Sequence, residues 1–237
     1  NLLIRDGGIP GIVISTRKIN NIQVHKNVIH AESGALDMEV SRVAAKSGLE
    51  GLEFFIGIPG TIGGALKMNA GSYGSETKNI LIEAQAVDRE GKVHNISSSE
   101  LQMEYRKTKT PADWIFISSK FKAQSCAPDI VRKRMKHIIL DRSTNQPQGV
   151  FTGGSTFKNP TGLKSWKLID QAGCRGMSYG GAKVSEIHCN FLVNTGTSKA
   201  SDIEYLGEII RDKVLKNTGI ELCWEILRIG NALESDG

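Results

Sequence analysis

Over the first 34 positions the apolar residues come in short bursts between turn residues. "LLIR", "GIVIS", "IQVH" and "VIHAESG" each read as a brief β-strand. The period then changes. In "ALDMEVSRVAAKSG" (35–48), Leu36, Val40, Val43 and Ala44 recur at helical spacing and Gly48 supplies a stop, which predicts an amphipathic helix. Residues 57–76 read as a glycine-rich loop with one helical turn. Residues 80–97 alternate as a β-hairpin turning at Arg89–Gly91, and "WIFISSKFKA" (114–123) is a further strand.

From Pro128 the pattern is mixed. "PDIVRKRMKHIILDRSTNQ" is helical, with Ile130, Val131, Met135, Ile138 and Ile139 as its apolar positions. A short helix over 165–173 and a strand over 190–194 follow. A long helix over 201–219 has Ser201 as N-cap candidate and Gly219 as stop, and "IELCWEILRIG" is a last strand. Strand-rich sequence followed by mixed sequence predicts an α+β protein of two domains, 1–125 and 126–237.

Bulk properties narrow the function. The 237 residues are 39% hydrophobic and 23% charged, enough to bury a core without disulfides. Cys126, Cys174, Cys189 and Cys223 form no CxxC pair, which argues against a zinc or redox site and for reduced thiols in the cytoplasm. No apolar run reaches membrane-spanning length, so no membrane partner is expected. The net charge of +5 suits either a solvated basic surface or an anionic ligand such as a dinucleotide or nucleotide sugar. The basic residues are scattered and carry no aromatic-basic motif, so nucleic acid is not expected.

Two loops concentrate the chemistry. "GIPGTIGGA" could cradle a pyrophosphate with backbone N–H groups. Its glycines do not fit GxGxxG, however, and Lys67 is followed by Met68 and not by Ser or Thr as in a phosphate loop. "GGSTFKNP" carries Ser155 behind two glycines, but it is neither a GxSxG elbow nor a supported serine–lysine pair. Locally, Ser155 reads as a turn residue more readily than as a reactive one.

The order of the segments is more specific than any one of them. "GLEFFIGIPGTIGGALKMNAGSYG", "YRKT", "GGSTFKNP", "GGAKVSEIHCNFLVN" and "ELCWEILRIG" occur in sequence. From residue 1 to about 230 the chain resembles the UDP-N-acetylenolpyruvoylglucosamine reductase family, in its shorter type. The resemblance implies an FAD-binding domain of the vanillyl-alcohol-oxidase type followed by a smaller α+β substrate-binding domain. It also implies FAD as cofactor, NADPH as hydride donor, a UDP-sugar substrate and a monomeric cytoplasmic enzyme of peptidoglycan precursor synthesis.

Residue roles follow from the same resemblance. Arg106, Ser155 and Glu225 match the catalytic arginine, proton donor and glutamate. Adding hydride to an enol ether conjugated to a carboxylate builds negative charge that a guanidinium can face. A serine hydroxyl is a weak acid, but a carbanion beside a carboxylate is a strong base. Glu225 is then either protonated or balanced by Arg106.

Pro59, Gly60, Thr61, Gly63, Gly64, Asn69 and Gly71 match the FAD-lining loop. Asn1 and Leu2 match the end of a second pyrophosphate loop, so the N-terminal part of the FAD domain is expected to be missing from this chain. Arg142, Gln146, Asn159, His188 and Asn190 match substrate contacts; for His188 and Arg142 a structural role is the competing reading. Thr108 stands where the family usually has Ser, and Leu227 where a basic residue is common, with Arg228 available to supply that charge. Two other readings compete: a different FAD oxidase on the same fold, and a non-catalytic nucleotide-binding protein. Arg106, Ser155 and Glu225 occurring together argue against the latter.

Overall fold

Alternation over 22–32 and 80–122 closes a five-stranded antiparallel sheet in the order Ile22–His25, Val28–Glu32, Ile115–Lys122, Leu81–Val87, Val93–Ser97. In Val28–Glu32 every second residue is buried, as a strand with one core face requires. This computed structural model describes residues 1–233. The end of the expected second domain, 234–237, lies outside the described residues.

The chain divides into two compact units. One is Ile14–Arg142; the other joins Asn1–Val13 to the residues from Ser143 onward. The break along the chain falls at 142/143, away from the expected position near 125. The first residues also belong with the C-terminal part, because Leu2–Ile4 pairs in parallel with Leu227–Ile229.

In the first unit the sheet packs on the helices Asp37–Lys46 and Ile62–Met68, around Ile29, Phe55, Leu66 and Phe121. The helix Pro128–Asn145 buries Val131, Met135 and Ile138 against Ala45 and Ile56. The helix Ile62–Met68 exceeds the single turn expected. Gly63 and Gly64 give it low intrinsic propensity, and burial of Ile62, Ala65 and Leu66 outweighs that. "GIVIS" forms no strand: Ile12, Val13 and Ile14 are exposed, and alternation makes a strand only where an edge is there to pair.

The second unit has a four-stranded antiparallel sheet in the order Phe151–Ser155, Phe191–Asn194, Ala182–Val184, Ser178–Tyr179. The helices Ser165–Gln171 and Ala200–Thr218 supply Leu168, Ile169, Leu206, Ile210 and Val214 to its core. The long helix begins at Ala200, and Ser201 is not its cap. The carboxylate of Asp6 accepts hydrogen bonds from the N–H groups of Ala200 (2.7 Å) and Ser201 (3.0 Å). Gly219, at φ 72°, ends the helix as expected.

Gly207 lies on that helix beneath the Trp224 indole, and a Cβ there would sit 2.1 Å from the ring. The indole is held by Glu208 at 2.8 Å and by Phe157, whose ring centroid is 5.0 Å away. We expect Gly207→Ala to destabilise this unit by about 2 kcal/mol, because the ring must leave both partners. Urea unfolding checks it, and an unchanged midpoint would show that the indole moves freely. Among the described residues no helix is long and apolar enough to cross a membrane.

Candidate active site

In the first unit the stretch 33–37 runs behind the loop 60–63. Leu36 and Thr61 form an antiparallel bridge. Ile62 N donates to Ala35 O (2.9 Å), Gly63 N to Ser33 O (2.8 Å) and Asp37 N to Gly60 O (3.2 Å). The loop's inner face is therefore packed: a Cβ at Gly60 would sit 2.9 Å from Asp37 Oδ2, and one at Gly63 would sit 3.1 Å from Ser33 Cβ. Its outer face is bare backbone, since Pro59, Gly60 and Gly64 are exposed and nothing lies within 4 Å of a Cβ at Gly64.

Asn69 ends the helix Ile62–Met68 in the left-handed conformation, at φ 42°. Its side chain holds the protein together: Nδ2 donates to Glu76 Oε2 (2.6 Å) and Glu104 O (3.1 Å), and Oδ1 accepts from Lys78 N (3.0 Å). Gly71 pairs with Glu76, where a Cβ would lie 2.7 Å from Glu76 Cβ.

Arg106 belongs to the same cluster. Tyr105 and Arg106 form the tip of a tight turn closed by bonds between Glu104 and Lys107. Arg106 has φ 56°, a conformation that non-glycine residues hold only when their surroundings impose it. Its Nη1 reaches Gly71 O at 3.5 Å, and Thr108 Oγ1 donates to Leu66 O at 2.5 Å. Thr108 thus keeps the hydroxyl expected of Ser at that position and uses it to fasten the turn to the helix Ile62–Met68.

Arg142 donates to Gly57 O and is half-buried. Burial pulls its guanidinium below the ordinary value. Nearby, Tyr73 donates to Asp141 Oδ2 (3.0 Å), and burial followed by that carboxylate pushes the phenol up to about 12.

In the second unit Ser155 ends its strand opposite Phe191. Thr156 O then accepts from Glu225 N (2.8 Å), Phe157 bridges Trp224, and Lys158 N donates to Cys223 O (2.8 Å). Ser155 and Glu225, 70 positions apart in the chain, therefore stand on adjoining backbone. Glu225 is only 8% exposed.

Asn190 clamps this loop through both amide atoms. Oδ1 accepts from Phe157 N (2.9 Å) and Nδ2 donates to Phe157 O (2.8 Å). Asn159 Oδ1 accepts from Ser165 N (3.0 Å).

Other second-unit residues are less committed to the fold. His188 Nδ1 and Gln146 Oε1 are buried with no hydrogen-bond partner in the protein, as is Thr156 Oγ1. Burial lowers the His188 imidazole below its ordinary value, which favours the neutral ring at pH 7. Arg228, the expected substitute charge, stacks on Trp224 at 4.5 Å and pairs with Glu208 at 3.4 Å. Asn1 and Leu2 lie on the strand pair with Leu227, where Asn1 O accepts from Leu227 N (2.8 Å).

Residues 146–229 match the model of the UDP-N-acetylenolpyruvoylglucosamine reductase C-terminal domain, and residues 1–97 match the FAD binding domain. The chain is 51% identical over 232 residues to the UDP-N-acetylenolpyruvoylglucosamine reductase of Bradyrhizobium sp. (strain ORS 278), covering 97% of this chain and 76% of that protein. It belongs to the UDP-N-acetylenolpyruvoylglucosamine reductase family.

Another reductase of the family, from Paramagnetospirillum magneticum (strain ATCC 700264 / AMB-1), is 52% identical over 231 residues, covering 97% of this chain and 75% of the relative. The crystal structure of the reductase from Thermus caldophilus matches with a TM-score of 0.83 at 31% identity. That match covers 95% of this chain and 82% of the other. Within a UDP-N-acetylenolpyruvoylglucosamine reductase, the exposed backbone at Gly60 and Gly64 fits close approach by FAD, since neither residue puts a side chain in the way and nothing crowds Gly64.

Two features of the site escaped sequence reasoning. One is the strained φ of Arg106, which has no local signal. The other is Asp37, which reads as an ordinary first-turn acidic residue of a helix and is instead buried behind the loop.

Proposed function

We propose that this protein is an NADPH-dependent flavoenzyme. It reduces the enolpyruvyl group of UDP-N-acetylglucosamine-enolpyruvate to UDP-N-acetylmuramate, in peptidoglycan precursor synthesis. The observation that carries the reading is the junction at Thr156, which sets Ser155 beside Glu225 within a chain that belongs to this family. FAD, when bound, supplies the hydride. The residues of the first unit that would hold it are Pro59, Gly60, Thr61, Gly63, Gly64 and Gly71, and sequence resemblance adds Asn1 and Leu2. Asn69 acts by shaping the loop.

The chain's own groups then handle charge and protons. Arg106 pairs with the substrate carboxylate and stabilises the negative charge that builds beside it. The turn sets where its Cα stands, and the guanidinium is directed toward Gly71 by the bond to Gly71 O. Ser155 Oγ donates the proton to the carbon next to that carboxylate. Glu225, on the adjoining backbone, orients the reacting group. His188 and Gln146 offer unpartnered polar atoms for the UDP-sugar, and Arg142 and Asn159 join them. Asn190 serves the substrate indirectly, by holding the Ser155 loop.

The test is an assay of the purified yellow protein. Consumption of NADPH should require the enolpyruvyl sugar and yield the lactyl product. NADPH consumption with oxygen alone would point to an oxidase on the same fold. Failure to hold flavin would remove the reading altogether.

A further inference from the structure

We propose that Asp37 is a positioning residue for the cofactor-lining loop, and that it serves there as an uncharged acid whose ionisation loosens the cofactor. The inference rests on the FAD reading above. Asp37 is 1% exposed, and neither carboxyl oxygen has a hydrogen-bond partner. Its Oδ2 lies against Gly60, 2.9 Å from where a Cβ would be, and its own N–H holds Gly60 O. Any side chain at Gly60 would collide with it. Asp37 and Gly60 are therefore matched, with the carboxyl on the inner side of the loop and bare backbone on the outer side.

Two more hydroxyls share this buried strip. Ser33 lies behind Gly63, and Ser41 sits one helical turn after Asp37; both are buried with unpartnered Oγ atoms. Of the seven such side-chain atoms among the described residues, four belong to Ser33, Asp37 and Ser41. Unpartnered buried polar atoms are rare, and those of Asp37 and Ser33 lie directly against Gly60 and Gly63.

No counter-ion bonds the carboxyl. On its own helix Glu39 pairs with Arg42 in solvent. The loop 57–61 has no ionisable side chain. Lys67, on the next helix, is exposed and bonds Thr110. On the neighbouring strand Glu32 accepts from Asn21 N. Arg17 and Lys18 lie in the segment that packs on Gly34 and make no bond to Asp37. Burial alone acts on the group and pushes it up to about 7.

An anionic dinucleotide on the outer face raises the cost of a charge on the inner face. Binding then favours the protonated acid, and the complex holds more protons than the free protein near neutrality. Affinity must fall as pH rises through 7. A displacement of one pKa unit between free and bound protein corresponds to a tenfold change in affinity.

The experiment measures the FAD dissociation constant of the full-length protein by flavin fluorescence from pH 6 to pH 9. Proton uptake is measured alongside, by calorimetry in buffers of different ionisation heat. We expect the wild-type affinity to fall about tenfold across this range, with proton uptake near pH 7. Asp37→Asn should bind with a flattened profile. Should the variant not fold, infrared spectroscopy of the wild type decides: a protonated-carboxyl band that grows on FAD binding supports the proposal, and its absence overturns it. Tight binding that ignores pH, or an Asn variant with the wild-type slope, overturns the role of Asp37 alone. A protein that takes up no FAD at any pH overturns the cofactor reading and this proposal with it.

Discussion

Ser155→Ala is expected to slow reduction of the enolpyruvyl sugar about a thousandfold, the middle of the range for losing a positioned proton donor. The bleaching of the bound yellow cofactor by NADPH should stay near the wild-type rate, because that exchange needs no proton at the sugar. Stopped-flow absorbance separates the two: bleaching on adding NADPH, and the return of colour on adding the sugar. Equal loss in both would make Ser155 a structural residue. The neighbouring backbone argues against a purely structural effect. The loop is fixed by Thr156 to Glu225, by Phe157 to Asn190 and by Lys158 to Cys223, and none of these bonds uses the Ser155 hydroxyl.

Asp37→Asn is expected to gain stability on the wild type as pH rises. The folded carboxyl sits at about 7 and its ordinary value is 3.8, so between these limits the folded state holds a proton that the unfolded chain has released. Whatever stability the neutral acid allows is fully present below pH 3.8, declines as pH rises and is lost once pH passes 7. Over that span the decline amounts to about 4 kcal/mol, at ~1.4 kcal/mol per pKa unit. Asn cannot ionise, so the variant lacks the decline. Urea melts of the FAD-free protein at pH 5 and pH 8 should diverge between the two proteins. Parallel pH profiles would show that Asp37 finds a partner in solution.

Both predictions involve residues that the sequence presents very differently. Ser155 is visible through the order of motifs, although its own loop fails every local test for a reactive serine. Asp37 is invisible, because an acidic residue in the first turn of a helix is ordinary and only burial makes it unusual. The same contrast holds for the fold. The hairpin over 80–97, the strand at 114–123 and the helix ends at Lys46 and Gly219 were legible because period and stop residue are local. The start of the long helix is only partly local: Asp202 accepts from Lys199 N, but the first helical N–H groups bond Asp6, nearly two hundred positions away. "GIVIS" alternates like a strand and forms none, because nothing in its alternation says whether a partner strand exists.

The substrate-contact assignments divide in the same manner. Asn190 looks like a free polar handle in the sequence, but hydrogen bonding commits both its amide atoms to the loop, whereas Asn159 gives only its oxygen to the helix that follows. His188 and Gln146 keep buried polar atoms without partners, which no motif could announce.

By itself the sequence determined the α+β class, most of the elements and the family, because local period and motif order survive without coordinates. Only the tertiary structure decided that residues 1–13 pack with the C-terminal part, that Arg106 is held in a strained turn, and that Asp37 is a buried acid behind Gly60. Each of these depends on which distant backbone removes a group from water or supplies its hydrogen bond, and that partner is set by packing across the chain and not by neighbours in sequence.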